Sequence, residues 1–384
     1  MSDYRELHHK YEFEVYPKRD VVLVRGKGAH VWDDEGIEYL DLAAGIGVAS
    51  IGHGNEKLAE ALKQQALNLI TVPGIFYNDT RGKYLEKLIS ITPKSLTRAF
   101  LSNSGTEAME AAIKFARFTT KKTDFIATMR GFHGRSLGAL SATYKPDYRD
   151  DFMPLVPGFS HVPYNNFEKM EAAVTENTAG IILELIQGEG GINIADKEYV
   201  KQIRQLCDDK GILFIVDEIQ SGFCRTGKMF ACEHYDLQPD IMTVAKAIAG
   251  GVPMGATLCS DKINIELGKH GTTFGGNALA AAAGLATLEI MEEENLIQKA
   301  AENGDYFANK LREIKSDKIR EVRNVGLMVG VELKEKVKPF LVELLKERVL
   351  ALPAGLTVLR LMPPLVISRE DLDIGVERIA KVLS

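Results

Sequence analysis

A chain of 384 residues is long enough to bury a large core and to divide into about two domains. Its 45% hydrophobic and 26% charged residues are those of an ordinary globular enzyme. A formal charge of −6 leaves no broad basic field to meet phosphates, which argues against nucleic acid as the main partner.

The first stretch, MSDYRELHHKYEFEVYPKRD, is too charged for a signal peptide. VVLVRGKGAHVWDDEGIEYLDLAAG then reads as short strands joined by turns at Gly28 and Gly36. Through the middle, strand-like and helix-like runs alternate: TRAFLS and TEAMEAAIKFARFTT, AGIILELIQ and KEYVKQIRQLCDDKG, then ILFIVDE and DIMTVAK. Such alternation predicts a mostly parallel sheet covered by helices. IMTVAKAIAGGVPMGATLC approaches the length of a membrane span, but Lys246, Gly250, Gly251 and Pro253 break it, so no span is expected. After about residue 276 the pattern turns helical, and GLMVGVEL and TVLRLMPPLVI follow as strands. The fold class predicted is α/β: a large domain over 50–275, and a smaller α+β domain built from both chain ends, 1–49 and 276–384. The four cysteines, Cys207, Cys224, Cys232 and Cys259, have neither C-x-x-C nor zinc spacing. They read as reduced thiols in a cytoplasmic protein, and no metal site is expected.

Three segments carry residues suited to chemistry. In FLSNSGTEAMEAAIKFAR a strand enters the turn Ser104-Gly105-Thr106 and opens a helix with Ala108, Ala111, Ala112 and Phe115 on one stripe. A helix start with two hydroxyls can hold a phosphate. Simple capping explains it equally well, since Ser104 and Glu107 fit the S-x-x-E box. In GILFIVDEIQSGFCRTGK an apolar strand ends in Asp217 and Glu218. One reading is a magnesium nucleotide hydrolase, because GFCRTGKM approaches the G-x-x-x-x-G-K-[ST] loop. Met229 stands where the magnesium hydroxyl belongs, a thioether is a poor magnesium ligand, and the loop does not leave a strand, so this alternative is remote. The third segment holds Lys246 in apolar company, where an amine either snorkels or is desolvated into a nucleophile. A pyridoxal cofactor needs both groups: a lysine to hold it and move protons, and an aspartate to keep its ring nitrogen protonated. Its phosphate would then sit on Ser104–Thr106.

NSGTEA, GFHGR, QGEGG, DEIQSGFCRTG, AKAIAGGVPMGA, HGTTFGGN and RLMPPLVI stand here in the order and spacing of the class III (ornithine/acetylornithine-type) aminotransferases dependent on pyridoxal 5′-phosphate, which the chain resembles from about residue 15 onward. The resemblance implies fold type I and a homodimer with active sites at the subunit interface. By the same resemblance Lys246 would hold the cofactor and Asp217 its pyridine nitrogen. Ser104, Gly105 and Thr106 would bind the phosphate, with Thr273 of the partner subunit. Phe132 would stack on the ring, Ile219 would pack its other face and Gln220 would lie near the phenolic oxygen. Arg360 would grip the α-carboxylate of 2-oxoglutarate or glutamate by a bidentate pair. Glu184 would neutralise that arginine when a terminal amine occupies the site, and Tyr16 and Arg135 would meet the donor's distal polar end. Leu185, Met109, Cys224 and Ala278 replace the family's usual proline, asparagine, glycine and proline. His133 reads as a core or interface histidine, and Glu189 and Glu218 as structural acids.

The run KIREVRNVGLMVGVELKEKVKPFLVELLKERVLALPAGLTVLRLMPPLVISREDL, with GFHGRSLGALSATYKPDYRDDFMPLV, resembles the branch acting in lysine biosynthesis through 2-aminoadipate. There the intermediate rides on a small acidic carrier protein, LysW, and its terminal amine is exchanged with 2-oxoglutarate or glutamate. Lys145 and Arg149 are candidate contacts for such a carrier. N-acetylornithine, a substrate of arginine biosynthesis, is the alternative donor.

Overall fold

The computed structural model describes residues 4–384. Its central sheet has seven strands in the order Leu96–Ser102, Gly255–Ser260, Ile241–Val244, Leu213–Asp217, Thr178–Leu183, Asp124–Thr128 and Phe159–Val162. Gly255–Ser260 pairs antiparallel with both neighbours, and the four other pairings are parallel. Strands covered by helices on both faces are apolar throughout rather than alternating. Thr178–Leu183, Leu213–Asp217 and Ile241–Val244 are accordingly buried at every position.

The helix Gly105–Thr120 buries Ala108, Ala111, Ala112 and Phe115, the stripe its sequence displays, and packs on the Ile241–Val244 and Gly255–Ser260 strands. Small side chains along that stripe let the helix axis lie close to the sheet. Ala278–Glu293 is alanine-rich and apolar nearly all round, so most of its length is buried.

The other sheets among the described residues are a two-stranded ribbon, Ile186–Gln187 with Asn193–Ile194, and two smaller four-stranded sheets. One joins Leu23–Lys27, His30–Asp33 and Glu38–Asp41 to Val349–Leu350, with Val349 beside Leu40, so early and late parts of the chain share it. The other is antiparallel, in the order Ile319–Val325, Met328–Leu333, Val358–Leu361 and Leu352–Ala354.

The loop after Asp217 stitches these parts together. Arg225 is buried, and its guanidinium donates to the carbonyls of Leu327 (3.1 Å) and Pro363 (2.7 Å) and to Ser50 Oγ (3.2 Å). The nucleotide-loop reading of GFCRTGK fails on this point. The segment 218–230 is a series of turns leading into a short 3-10 helix, Ala231–Tyr235, and its arginine faces carbonyl oxygens. All four cysteines are buried and free. Among the described residues no helix is long and apolar enough to cross a membrane.

Candidate active site

Open α/β sheets bind ligands in the crevice beyond the carboxyl ends of their strands. Here five parallel strands deliver their next residues to one such crevice: Ser104 after Leu96–Ser102, Phe132 after Asp124–Thr128, Glu184 after Thr178–Leu183, Asp217 at its strand's end, and Lys246 after Ile241–Val244. They line a cavity of about 400 Å³. Gly105, Thr106, Arg135, Ile219 and Gln220 line it as well. Three expected residues do not. Tyr16 is 70% exposed and Thr273 is also exposed in the single chain, while Arg360 lies just behind Gln220 and Glu189.

Asp217 is 4% exposed. Its Oδ1 accepts from Ile219 N at 3.0 Å, and its Oδ2 meets His133 Nδ1 at 2.7 Å. Burial opposes a charge on that imidazole, but the hydrogen bond and charge of Asp217 outweigh it and raise its pKa. His133 is thus the partner of the site's central carboxylate, a role its spacing in the chain does not announce.

Lys246 opens the 3-10 turn Lys246–Ala249 with φ +51°, a left-handed conformation that costs a non-glycine residue energy and marks functional positions. Burial lowers the pKa of its amine, against the pull of Glu189, Asp217 and Glu184. Burial thereby favours the neutral, nucleophilic form of the amine.

At the other end of the cavity, capping and a free helix start coexist. Ser104 Oγ accepts from Glu107 N at 3.3 Å, and Glu107 Oε2 accepts from Asn103 N at 2.5 Å. The first-turn N–H groups have no partner within the helix. Gly105 brings them close: a Cβ there would lie 2.8 Å from Ile219 Cδ1. Thr106 Oγ1 and Ser136 Oγ are 2.7 Å apart, and Ser136 Oγ donates to Glu110 Oε1 at 2.5 Å, which ties the helix start to the loop carrying Phe132 and Arg135. Arg135 lies over the Tyr148 ring, 3.7 Å from its centroid.

Arg360, 3% exposed, donates from one nitrogen to Gln220 Oε1 (3.0 Å) and to Glu189, while its Nε has no partner. The arginine's charge and hydrogen bond overcome burial and hold the Glu189 carboxyl below its ordinary pKa. This corrects the expectation that Glu184 faces Arg360. Glu184 leaves the sheet directly at its strand's end, and both oxygens are committed to backbone: Oε1 to Phe132 N (2.8 Å), Oε2 to Gly188 N (3.1 Å). Burial pushes its pKa up to about 7. The chain must turn at Gly188 before an acid can reach Arg360, and that acid is Glu189. Its place between glycines in QGEGG is the signal that marks a turn approaching a ligand. Leu185, at the family's proline position, is buried and its carbonyl accepts from Ala195 N at 3.0 Å and Tyr164 OH at 3.0 Å.

The donor set fits pyridoxal 5′-phosphate. It has a helix start for the phosphate, Phe132 and Ile219 as apolar walls, a buried carboxylate for the ring nitrogen and a desolvated amine for the aldehyde.

Known proteins agree with this chemistry. The family model described as aminotransferase class-III matches residues 14–383. The [LysW]-aminoadipate semialdehyde transaminase of Deinococcus radiodurans is 50% identical over 380 residues, 98% of this chain and 89% of that protein. The acetylornithine aminotransferase of Methanocaldococcus jannaschii is 45% identical over 389 residues, 99% and 97% of the two chains. Among solved structures, the ornithine aminotransferase of Toxoplasma gondii matches with a TM-score of 0.94 at 33% identity, over 99% of this chain and 94% of that one. The acetylornithine aminotransferase of Elizabethkingia anophelis matches with a TM-score of 0.87 at 33% identity, over 99% and 97%.

Proposed function

The chain belongs to the class III aminotransferases, enzymes of fold type I that use pyridoxal 5′-phosphate, and from that premise we propose its substrates and the task of each residue. The reaction exchanges the terminal amine of a lysine carried on LysW with 2-oxoglutarate. In the biosynthetic direction it aminates LysW-aminoadipate semialdehyde with glutamate. The Deinococcus relative of that name, at 50% identity, supports this choice. N-acetylornithine is the second reading, favoured by the 45% identical relative named for that substrate.

The single observation that carries the reaction type is Arg360 covered by Glu189. One pocket must take an α-carboxylate in one half-reaction and a terminal amine in the other. A buried arginine free to grip carboxylates would favour α-amino acids in both. With Glu189 on it, the positive charge is cancelled and a terminal amine is admitted. When 2-oxoglutarate arrives, its carboxylate displaces Glu189 and takes the guanidinium.

Bound pyridoxal 5′-phosphate supplies the electron sink for the C–H bond that breaks. Asp217 would keep the ring nitrogen protonated, and His133 holds Asp217 in place. The Gly105–Thr106 N–H groups and Ser104 would receive the phosphate, and Phe132 and Ile219 would flank the ring. Gln220 would face the phenolic oxygen. Lys246 would hold the cofactor through its aldehyde, and its Nζ, once freed by the donor amine, would be the base placed to move the proton of the substrate carbon. Arg135 stands at the mouth, towards the donor's distal end.

The working unit is a homodimer in the cytoplasm. Leu67, Ile75, Tyr77 and Phe274 are 75%, 84%, 106% and 61% exposed in the single chain, and a partner covering them would also bring Thr273 of the partner subunit to the phosphate.

The test is spectroscopic. A terminal-amine donor should bleach the near-visible absorbance of the holoenzyme, 2-oxoglutarate should restore it, and Lys246→Ala should do neither. Comparing kcat/KM for LysW-linked lysine and N-acetylornithine decides the donor, and a large preference for the free acetyl compound overturns the carrier reading.

A further inference from the structure

We propose that Glu184 is a positioning residue that fixes two parts of the site at once, the Phe132 platform beside the cofactor ring and the turn that aims Glu189 at Arg360. The inference rests on Glu189 being the movable cover of Arg360. Three observations carry it.

Glu184 follows the last residue of a fully buried central strand, so its backbone is held by the sheet. Its two oxygens accept one N–H each from segments outside helix and strand: Phe132 N at 2.8 Å and Gly188 N at 3.1 Å. Gly188 is packed so tightly that a Cβ would lie 1.9 Å from Gln220 Oε1, the atom that accepts from Arg360. A shift at Gly188 therefore moves Gln220, Glu189 and the covered guanidinium together.

The bonding needs a carboxylate. The two backbone donors reach different oxygens, and a carboxylate accepts on both. Glutamine has the same shape but only one acceptor oxygen, so its NH2 must face one of the two backbone N–H groups and release that segment. Aspartate keeps both acceptors but draws them back by one methylene. Neither substitution touches a group that bonds to substrate.

The experiment compares holoenzymes of the wild type, Glu184→Gln and Glu189→Gln. The ratio of kcat/KM for L-glutamate to that for N-acetylornithine is measured in single half-reactions, together with the dissociation constant of pyridoxal 5′-phosphate from each. Glu189→Gln is expected to shift the ratio toward glutamate by tenfold or more and to leave cofactor affinity within about twofold. Glu184→Gln is expected to shift the ratio the same way by at least about threefold and to loosen the cofactor by about tenfold. Equal losses in both half-reactions with unchanged cofactor affinity would mean a merely structural role and would overturn the proposal. So would a Glu184→Gln enzyme indistinguishable from wild type. An unshifted ratio in Glu189→Gln would instead sink the reading of Glu189 as a cover, and the cofactor constant would still decide whether Glu184 holds Phe132. If Glu184→Gln does not fold, Glu184→Asp takes the same two measurements against the same criteria.

Discussion

His133 Nδ1 and Asp217 Oδ2 lie 2.7 Å apart, with the imidazole enclosed by protein and the carboxylate nearly so. Asp217 otherwise keeps only the Ile219 N–H, on its other oxygen. A hydrogen bond to a buried charge contributes roughly 1.5–3 kcal/mol. His133→Ala is therefore expected to weaken cofactor binding and to lower kcat by about 10- to 100-fold. Cofactor titration of the apoenzyme and steady-state rates measure both. Unchanged values would mean that Ile219 N alone sets the carboxylate.

Arg360 tests the division of labour between the half-reactions. Lysine keeps the charge but loses the planar fork that matches a carboxylate. Arg360→Lys is expected to raise KM for 2-oxoglutarate by about thirtyfold, equivalent to roughly 2 kcal/mol. The terminal-amine half-reaction, in which the guanidinium is covered by Glu189, should change by no more than about threefold. Stopped-flow measurement of each half-reaction separates the two. An equal loss in both would remove Arg360 from carboxylate recognition.

The parts legible in the sequence are those set by local pattern. The strands announced themselves as apolar runs, and the Ala108–Phe115 stripe faces the sheet as read. Ser104, Asp217 and Lys246 stand at or just beyond strand ends, where a parallel sheet places its ligand, so a linear reading reaches them. Contacts decided by the direction of a turn were not legible. Glu184 and Glu189 are both acids in one short stretch, and only the bend at Gly188 decides that Glu189 meets Arg360. His133 has no recognisable spacing, because its partner is 84 positions away. Arg225 looked like part of a phosphate loop, and only the fold brings Leu327 and Pro363 to it.

Packing supplies a test of the fold that is independent of the chemistry. Gly304 lies in the helix Leu296–Arg312, where a Cβ would come 2.1 Å from both the carbonyl carbon and oxygen of Gly326. The obstacle is backbone, which cannot swing aside as a side chain would. Gly326 has φ +54° and itself sits tightly on the Thr226–Gly227 backbone. Gly304→Ala should cost roughly 1–3 kcal/mol, although alanine is the better helix former. Thermal denaturation should show a lowered midpoint, with kcat per folded molecule nearly unchanged. A midpoint at or above that of the wild type would contradict the close approach.

Glu218 makes stability depend on pH near neutrality. Burial pushes its carboxyl up to about 7 from an ordinary 4.5, even though Ser221 Oγ at 2.5 Å and Cys232 N at 2.7 Å favour the charged form. The folded state therefore holds a proton that the unfolded chain has already released. Stability from this group is complete below pH 4.5 and is lost as pH rises through about 7, a change of roughly 3 kcal/mol. Glu218→Gln cannot titrate, and its one lost acceptor costs the same at every pH. Subtracting its unfolding free energy from that of the wild type cancels the other titrating groups, Glu184 included. That difference should fall from pH 5 to pH 8 by a few kcal/mol, disfavouring the wild type at the alkaline end. Denaturant unfolding of the two proteins across this range measures it, and a difference that stays flat would mean that Glu218 ionises like an exposed carboxylate.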